Sequence, residues 1–216
     1  MLNRILALFF PDRCFICNRI ISFCPDEICL CESCRKRLIF LDKIKTCRLC
    51  GRPVYGSSSL CETCQAHRHI FDRAVSCLLY AGAARKAVLR YKFRGRRDLC
   101  RHFSALMLRI FYHYFKPEDF DCIVCVPLSK LGYKKRGYNQ SALLAKRLSA
   151  KTGIPFYPHA FCKIKETAAQ SSLQHYAERI ENVRHAYKLS RDALKLRHKR
   201  VLLIALCLQM VWSQEF

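Results

Sequence analysis

Cys14-Phe15-Ile16-Cys17, Cys31-Glu32-Ser33-Cys34, Cys47-Arg48-Leu49-Cys50 and Cys61-Glu62-Thr63-Cys64 are four Cys-x-x-Cys pairs within the first 64 residues, and they decide how the front of this chain folds. A two-residue gap lets two thiolates turn inward from one tight loop onto one metal ion. A tetrahedral Zn²⁺ needs four such ligands, hence two pairs. The gaps between pairs are 13, 12 and 10 residues. The simplest assignment is sequential: Cys14, Cys17, Cys31 and Cys34 hold one zinc, and Cys47, Cys50, Cys61 and Cys64 hold a second. Each half then reads as a small zinc ribbon, two metal-closed knuckles joined by a short hairpin. Structural disulfides fit less well, because no secretory signal is read ahead of the pairs and the chain is not a short disulfide scaffold. A redox function needs only one such pair, set on a βαβ pattern. Cys24 and Cys29 are extra, and either can replace a neighbour as ligand, so the pairing is firmer than the ligand list.

With 216 residues, 51% of them hydrophobic, the chain can hold one ordinary domain plus a small module and has the apolar material for a core. Lys and Arg number 39 against 16 acidic residues, a net charge of +23, which points to an anionic partner: nucleic acid, a phosphorylated metabolite or an acidic membrane surface. No apolar run is long enough for a transmembrane span. Met1 to Phe10 is a short apolar run ended by Pro11, and it reads as a helix packing on the metal module rather than as a signal peptide. Cys77, Cys100, Cys122, Cys125, Cys162 and Cys207 sit among apolar neighbours. Buried, reduced thiols in a reducing cytosol are expected there.

The metal module is expected over residues 1–70 and a second domain over 71–216. Ala74 to Tyr80 fits a strand closed by Gly82. Ala83 to Phe93 has helical spacing, and Leu99 to Phe115 repeats apolar residues at helical intervals through Phe103, Leu106, Met107, Ile110 and Phe111. Cys122 to Pro127 and Val201 to Ile204 are continuous apolar runs of the kind found in buried parallel strands. Asn139 or Ser141 opens a helix stopped by Gly153 and Pro155. Residues 163–172 lack periodicity and read as a mobile loop, and His175 to Val183 fits a helix. Strands alternating with helices predict an α/β fold with a mostly parallel sheet and helices on both faces, which binds ligands at the carboxyl ends of its strands.

Two segments carry the charge. Leu128 to Gln140 is expected as a basic loop containing Lys130, Lys134, Lys135 and Arg136, with Gly132 and Gly137 permitting close backbone approach. Lys134, Lys135, Arg136 and Gly137, before a helix N-terminus, fit a phosphate or pyrophosphate cradle; an exposed basic turn fits as well. Arg90 to Arg97 interleaves cations with aromatics, which suits single-stranded nucleic acid through Lys92, Arg94, Arg96 and Arg97. The alternative is a helix end whose cations complement the dipole. The eight histidines are scattered, and no catalytic residue can be named. His67 and His69 have ligand chemistry, but the cysteine pairs already fill two sites.

The order of these segments resembles the ComF family of competence-associated, phosphoribosyltransferase-like proteins. The match runs through the paired cysteines, Phe71-Asp72-Arg73-Ala74, Tyr80, Gly82, Lys92-Phe93-Arg94-Gly95, Val126-Pro127-Leu128 and Arg136-Gly137-Tyr138-Asn139-Gln140, where the family reads Arg-Gly-Phe-Asn-Gln. It continues through Thr167, Gln170, Leu173, Arg179, Asn182-Val183-Arg184 and Ala186-Tyr187, although Ala168 and His185 depart from the family's usual proline and glycine. The resemblance implies a type I phosphoribosyltransferase-like, mostly parallel sheet behind a double zinc-ribbon module. It implies binding of phosphoribosyl pyrophosphate (PRPP) with Mg²⁺ in an intact member, with Arg136 and its neighbours on the pyrophosphate side and Thr167 to Arg184 as a mobile hood and its following helix. It also implies a cytoplasmic protein of DNA uptake, near single-stranded DNA and a helicase-like partner.

The family's strongest motif, two aspartates and a Gly-rich turn that hold ribose and 5′-phosphate, should come directly after Val201 to Ile204. This chain gives Ala205-Leu206-Cys207-Leu208-Gln209-Met210 instead. In a shifted frame, the codons for Leu208 to Val211 can spell Thr-Asp-Gly, so a frameshifted or truncated member is expected, with no PRPP-dependent activity and reduced stability. A non-enzymatic zinc-ribbon module that binds single-stranded nucleic acid or docks a helicase is the competing expectation.

Overall fold

The computed structural model describes residues 11–206 and 209–213, apart from 22, 23, 25, 26, 68, 169 and 174. The helix expected over Met1 to Phe10 and the buried thiol expected at Cys207 lie outside these residues.

The metal module contributes two short helices, α1 (Glu32–Lys36) and α2 (Glu62–Ala66). Strand β1 (Arg73–Ser76) is shorter than the run from Ala74 to Tyr80 suggested. Helices α3 (Gly82–Phe93) and α4 (Leu99–Tyr114) come next, as expected. One face of α4 buries Leu99, Phe103, Leu106, Met107, Ile110 and Phe111, which recur at the spacing of a helix stripe. The helix stops because Pro117 pushes Lys116 into extended backbone. Strand β2 (Cys122–Cys125) is buried along its whole length, as its unbroken apolar sequence requires.

The segment expected as a basic loop is largely a helix, α5 (Lys130–Arg136), capped by the Ser129 hydroxyl and closed by Gly137 in the left-handed conformation. Helix α6 (Gln140–Thr152) begins at the Asn139 cap and ends at left-handed Gly153. Strands β3 (Phe156–Tyr157) and β4 (Phe161–Lys163), helix α7 (Tyr176–Val183), and strands β5 (Tyr187–Leu189), β6 (Val201–Ala205) and β7 (Gln209–Ser213) complete the chain. The segment expected as a loop over 163–172 includes the end of β4 and a 3₁₀ turn at Gln170–Ser172.

The main sheet has the order β1-β7-β6-β2-β3. β2 runs parallel to β6 and β3, with Ile123 opposite Leu202 and Phe156. β7 returns antiparallel between β6 and β1, and is the one strand of this sheet that runs against the rest. Among the described residues, the next element after β6 is therefore a strand, where the family resemblance implied an acidic pair and a phosphate turn. The register of β6 on β2 is pinned at its start, where Asp121 accepts the backbone N–H of Arg200 at 2.7 Å and its guanidinium at 3.2 and 3.3 Å. β4 and β5 form a separate antiparallel ladder.

The principal core joins α4, α6, β2 and β6 through Phe103, Met107, Ile123, Leu144, Leu148 and Leu202. It also includes Phe15, Ile16, Leu30, Leu38 and Phe40 of the metal module, so apolar packing runs across the position of the expected boundary at residue 70. Cys47, Val54 and Cys64 form a small cluster of their own. No helix among the described residues is long and apolar enough to cross a membrane.

Candidate metal centres and nucleic-acid interface

The two tetrads are built alike. In the first, Cys14 and Cys17 sit on a turn closed by Cys14 N–H to Arg19 C=O and Asn18 N–H to Cys14 C=O, each 2.8 Å. Asn18 adopts φ +65°, and its equivalent Gly51 in the second ribbon adopts φ +68°. Cys31 and Cys61 are the N-cap residues of α1 and α2, so Cys34 and Cys64 lie three residues on, in the first helical turn. Each set of four sulfurs lies within 4.8 Å of one another. Cys17 and Cys31 Sγ are 3.7 Å apart, and Cys50 and Cys61 Sγ 3.6 Å. The edge of a tetrahedron with Zn–S bonds of about 2.3 Å is about 3.8 Å, so both tetrads fit the ion. The ligand sets are those the spacing predicted.

Bare, neither cluster can carry four negative charges. Burial pushes the Cys34 thiol up to about 12. The Ser33 hydroxyl, 3.4 Å from Cys31 Sγ, helps hold that thiol down to about 6. A dication removes this conflict by making every sulfur a thiolate ligand. Each tetrad also has a nitrogen donor against its last sulfur. Arg37 Nη2 lies 3.4 Å from Cys34 Sγ, and His69 Nε2 lies 3.3 Å from Cys64 Sγ. The extra cysteines take no ligand position: Cys24 and Cys29 are joined to each other in a disulfide, with Cα atoms 5.4 Å apart. This departs from the expectation that either can replace a neighbour as ligand. Cys77, Cys100, Cys122 and Cys125 are buried as expected, whereas Cys162 is exposed.

The two basic segments, separate in sequence, form one surface. Arg97 Nη2 donates to the Gly137 carbonyl at 2.7 Å, and its guanidinium lies 4.7 Å from the Tyr138 ring centroid. Tyr138 Oη donates to Tyr91 C=O, Tyr91 Oη to Gln140 C=O at 3.0 Å, and Gln140 Nε2 to Lys92 C=O at 3.2 Å. Arg136 stacks 4.9 Å from the centre of the Phe93 ring, which is 61% exposed. Gly137 has φ +73°, and a Cβ there would meet Arg97 Nη2 at 3.1 Å, so glycine suits the join twice over. Arg96 is held by Asp98 through two hydrogen bonds. Among the described residues, Arg94, Arg97, Lys134, Lys135 and Arg136 have no carboxylate partner. Burial of Arg136 without a counter-charge pushes its pKa down. Arg90 belongs to the scaffold instead, donating to the carbonyls of Phe15 and Ile16.

The expected cradle has a different backbone from the one its sequence suggested. Lys134, Lys135 and Arg136 occupy the last turn of α5, where cations suit the dipole. The N–H groups of Ser141 and Ala142 at the start of α6 are taken by Asn139 Oδ1 at 3.0 and 3.3 Å. An open cavity of about 820 Å³ lies beyond β2, lined by Leu128, Ser129, Lys130, Tyr133, Ile164 and Glu166 among others. Its carboxylate, Glu166, already accepts from Ser129 Oγ at 2.8 Å. Ala205 and Leu206 follow the core of β6, where the resemblance implied paired carboxylates, and neither side chain carries a metal-ligating group.

A family model described as a double zinc ribbon domain matches residues 5–72. Competence protein F of Haemophilus influenzae is 24% identical over 91% of this chain and 84% of its own length. Competence protein ComFC of Bacillus subtilis is 32% identical over 61% of this chain and 55% of its own length. DNA utilization protein YhgH of Escherichia coli K12 is 28% identical over 84% of this chain and 79% of its own length. No solved structure matches the chain.

Proposed function

From the premise that this chain belongs to the ComF family, we propose that it serves DNA uptake by holding single-stranded DNA on the joined basic surface of α3, α5 and the loops after them. The observation that carries this reading is the union of the two cationic segments through Arg97 and Gly137. Among the described residues, five cations of these two segments have no carboxylate partner, and one of them, Arg136, stacks on the exposed Phe93 ring. Phosphates pair with such cations, and bases stack on such a ring. Duplex DNA hides its base faces, so an exposed aromatic among cations favours the single strand. A helicase-like partner and a cytoplasmic setting belong to the same reading. Phosphoribosyl transfer does not, because Ala205 and Leu206 leave ribose hydroxyls without carboxylates.

Fluorescence anisotropy with a labelled oligonucleotide tests the proposal. Each phosphate contact on a single strand adds about 0.7 to the slope of log affinity against log salt. Changing Arg97 and Arg136 together to Gln lowers that slope by about 1.4. Phe93→Ala weakens binding by about 1–3 kcal/mol and leaves the slope unchanged. Binding that ignores salt, or that prefers duplex, defeats the reading. Micromolar PRPP binding by calorimetry defeats its non-enzymatic half.

A further inference from the structure

The second tetrad has a fifth donor within reach. His69 Nε2 lies 3.3 Å from Cys64 Sγ, and its ring stacks on Phe71 with centroids 4.9 Å apart, which holds the imidazole beside that corner of the site. The equivalent corner of the first tetrad is faced by Arg37, 3.4 Å from Cys34 Sγ. The two contacts are alike in distance, but their chemistry differs. A guanidinium has no lone pair to give a metal. A neutral imidazole has one, and three cysteines with one histidine form an ordinary structural zinc set.

We propose that His69 is a reserve ligand of the second zinc site, taking the metal position of Cys64 when that sulfur leaves, while among the described residues the first site has Arg37 at that corner and no such reserve. One Zn–S bond breaks and one Zn–N bond forms. The imidazole keeps its proton on Nδ1 and offers the Nε2 lone pair, so no redox step or further reactant is needed. The departing sulfur leaves a position within a few ångströms of Nε2. His69 lies beyond the end of α2 and is not held in a helix, so a small shift of the ring suffices. The consequence is a second ribbon that keeps its ion through the loss of Cys64, beside a first ribbon that loses its ion with Cys34. This inference concerns metal retention and stands apart from the DNA reading.

Metal content and cobalt spectroscopy on the full chain test it. Cys64→Ala retains two metal equivalents, with a cobalt spectrum of three sulfurs and one nitrogen at one site. Cys64→Ala with His69→Ala retains one, and Cys34→Ala also retains one. A single equivalent in Cys64→Ala, or two in the double variant, overturns the proposal. A second measurement leaves every cysteine in place and follows zinc transfer to a chelator. His69→Ala and His69→Asn both speed release of one of the two ions about tenfold, the scale on which a metal's supporting residues act. Asn can still donate a hydrogen bond to sulfur, so release from His69→Asn at the wild-type rate overturns the ligand role.

Discussion

Phe15 and Ile16, between the first two cysteines, lie in one core with Phe103 and Leu106, whereas Leu49, between the equivalent cysteines of the second ribbon, packs on the small cluster of Cys47, Val54 and Cys64. Phe15 stacks on His102 with centroids 5.1 Å apart and meets Phe103 edge-on at 5.8 Å. Arg90 adds hydrogen bonds to the carbonyls of Phe15 and Ile16. The second ribbon touches the sheet mainly along its rim, where Ala74 N–H donates to Leu49 C=O at 2.6 Å. Two copies of one metal motif therefore differ in what their metal holds. The first ion closes a wall of the main core, and the second closes a satellite.

The largest test of this difference removes one ligand from each. A structural zinc contributes about 10–16 kcal/mol to the folding of small ribbon-like peptides, and whole domains are stable by about 5–15 kcal/mol. If the first ion is coupled to the core, Cys14→Ser releases one zinc and unfolds α4 and β2 with it. Cys47→Ser also releases one zinc, but hydrogen exchange rises only over residues 45–66 and the main melting transition stays nearly in place. Equal collapse of both variants would break the comparison.

A smaller test leaves the ligands alone. Phe15 is 2% exposed, and truncating a buried phenylalanine costs about 3–5 kcal/mol through lost transfer energy and the cavity left behind. Phe15→Ala should lower the global transition by that amount while zinc content stays at two. Val54→Ala removes two methyl groups from the satellite, worth about 2 kcal/mol, and this loss should appear as local opening of the second ribbon. A global shift from Val54→Ala as large as that from Phe15→Ala would mean that the satellite is no satellite.

The sequence spoke most clearly where chemistry or periodicity is local. Four Cys-x-x-Cys pairs name both tetrads because ligand spacing is a property of one turn. The apolar stripe of α4 and the unbroken run of β2 are local for the same reason. Helix α5 was not legible, since Lys130 to Arg136 has no apolar stripe and carries Gly132, although Ser129 was there to cap it. β7 was hidden too, because its partners, β6 and β1, are chosen by the sheet and not by its own residues. The two basic segments read in the sequence as two separate sites, one for pyrophosphate and one for nucleic acid. Their union depends on the contact between Arg97 and Gly137, 40 positions apart, which no local pattern encodes. In the sequence His69 is a ligand beyond the eight cysteines that fill two sites, and only the fold shows that it faces Cys64 Sγ. Cys24 and Cys29 were read as spare ligands, when their proximity pairs them with each other.

The finest test exchanges one residue between the ribbons. Asn18 and Gly51 stand just past their knuckles at the same place, and both are left-handed, with φ +65° and +68°. Asparagine tolerates that conformation where the surroundings are open, as they are at exposed Asn18. Glycine is required at Gly51 for a second reason: a Cβ there would stand 2.7 Å from the Ala74 carbonyl oxygen and 3.1 Å from Val75 Cα. Both are backbone atoms of β1, which cannot rotate away as a side chain can. Gly51→Asn should therefore cost about 1–3 kcal/mol, raise exchange at Ala74, and leave both zincs bound. Asn18→Gly relieves a mild strain and frees the unfolded chain, two effects that oppose each other and leave a net change under about 1 kcal/mol. Should the two substitutions prove equally mild, β1 does not press on the second ribbon, and the rim contact that distinguishes its docking from that of the first ribbon is lost.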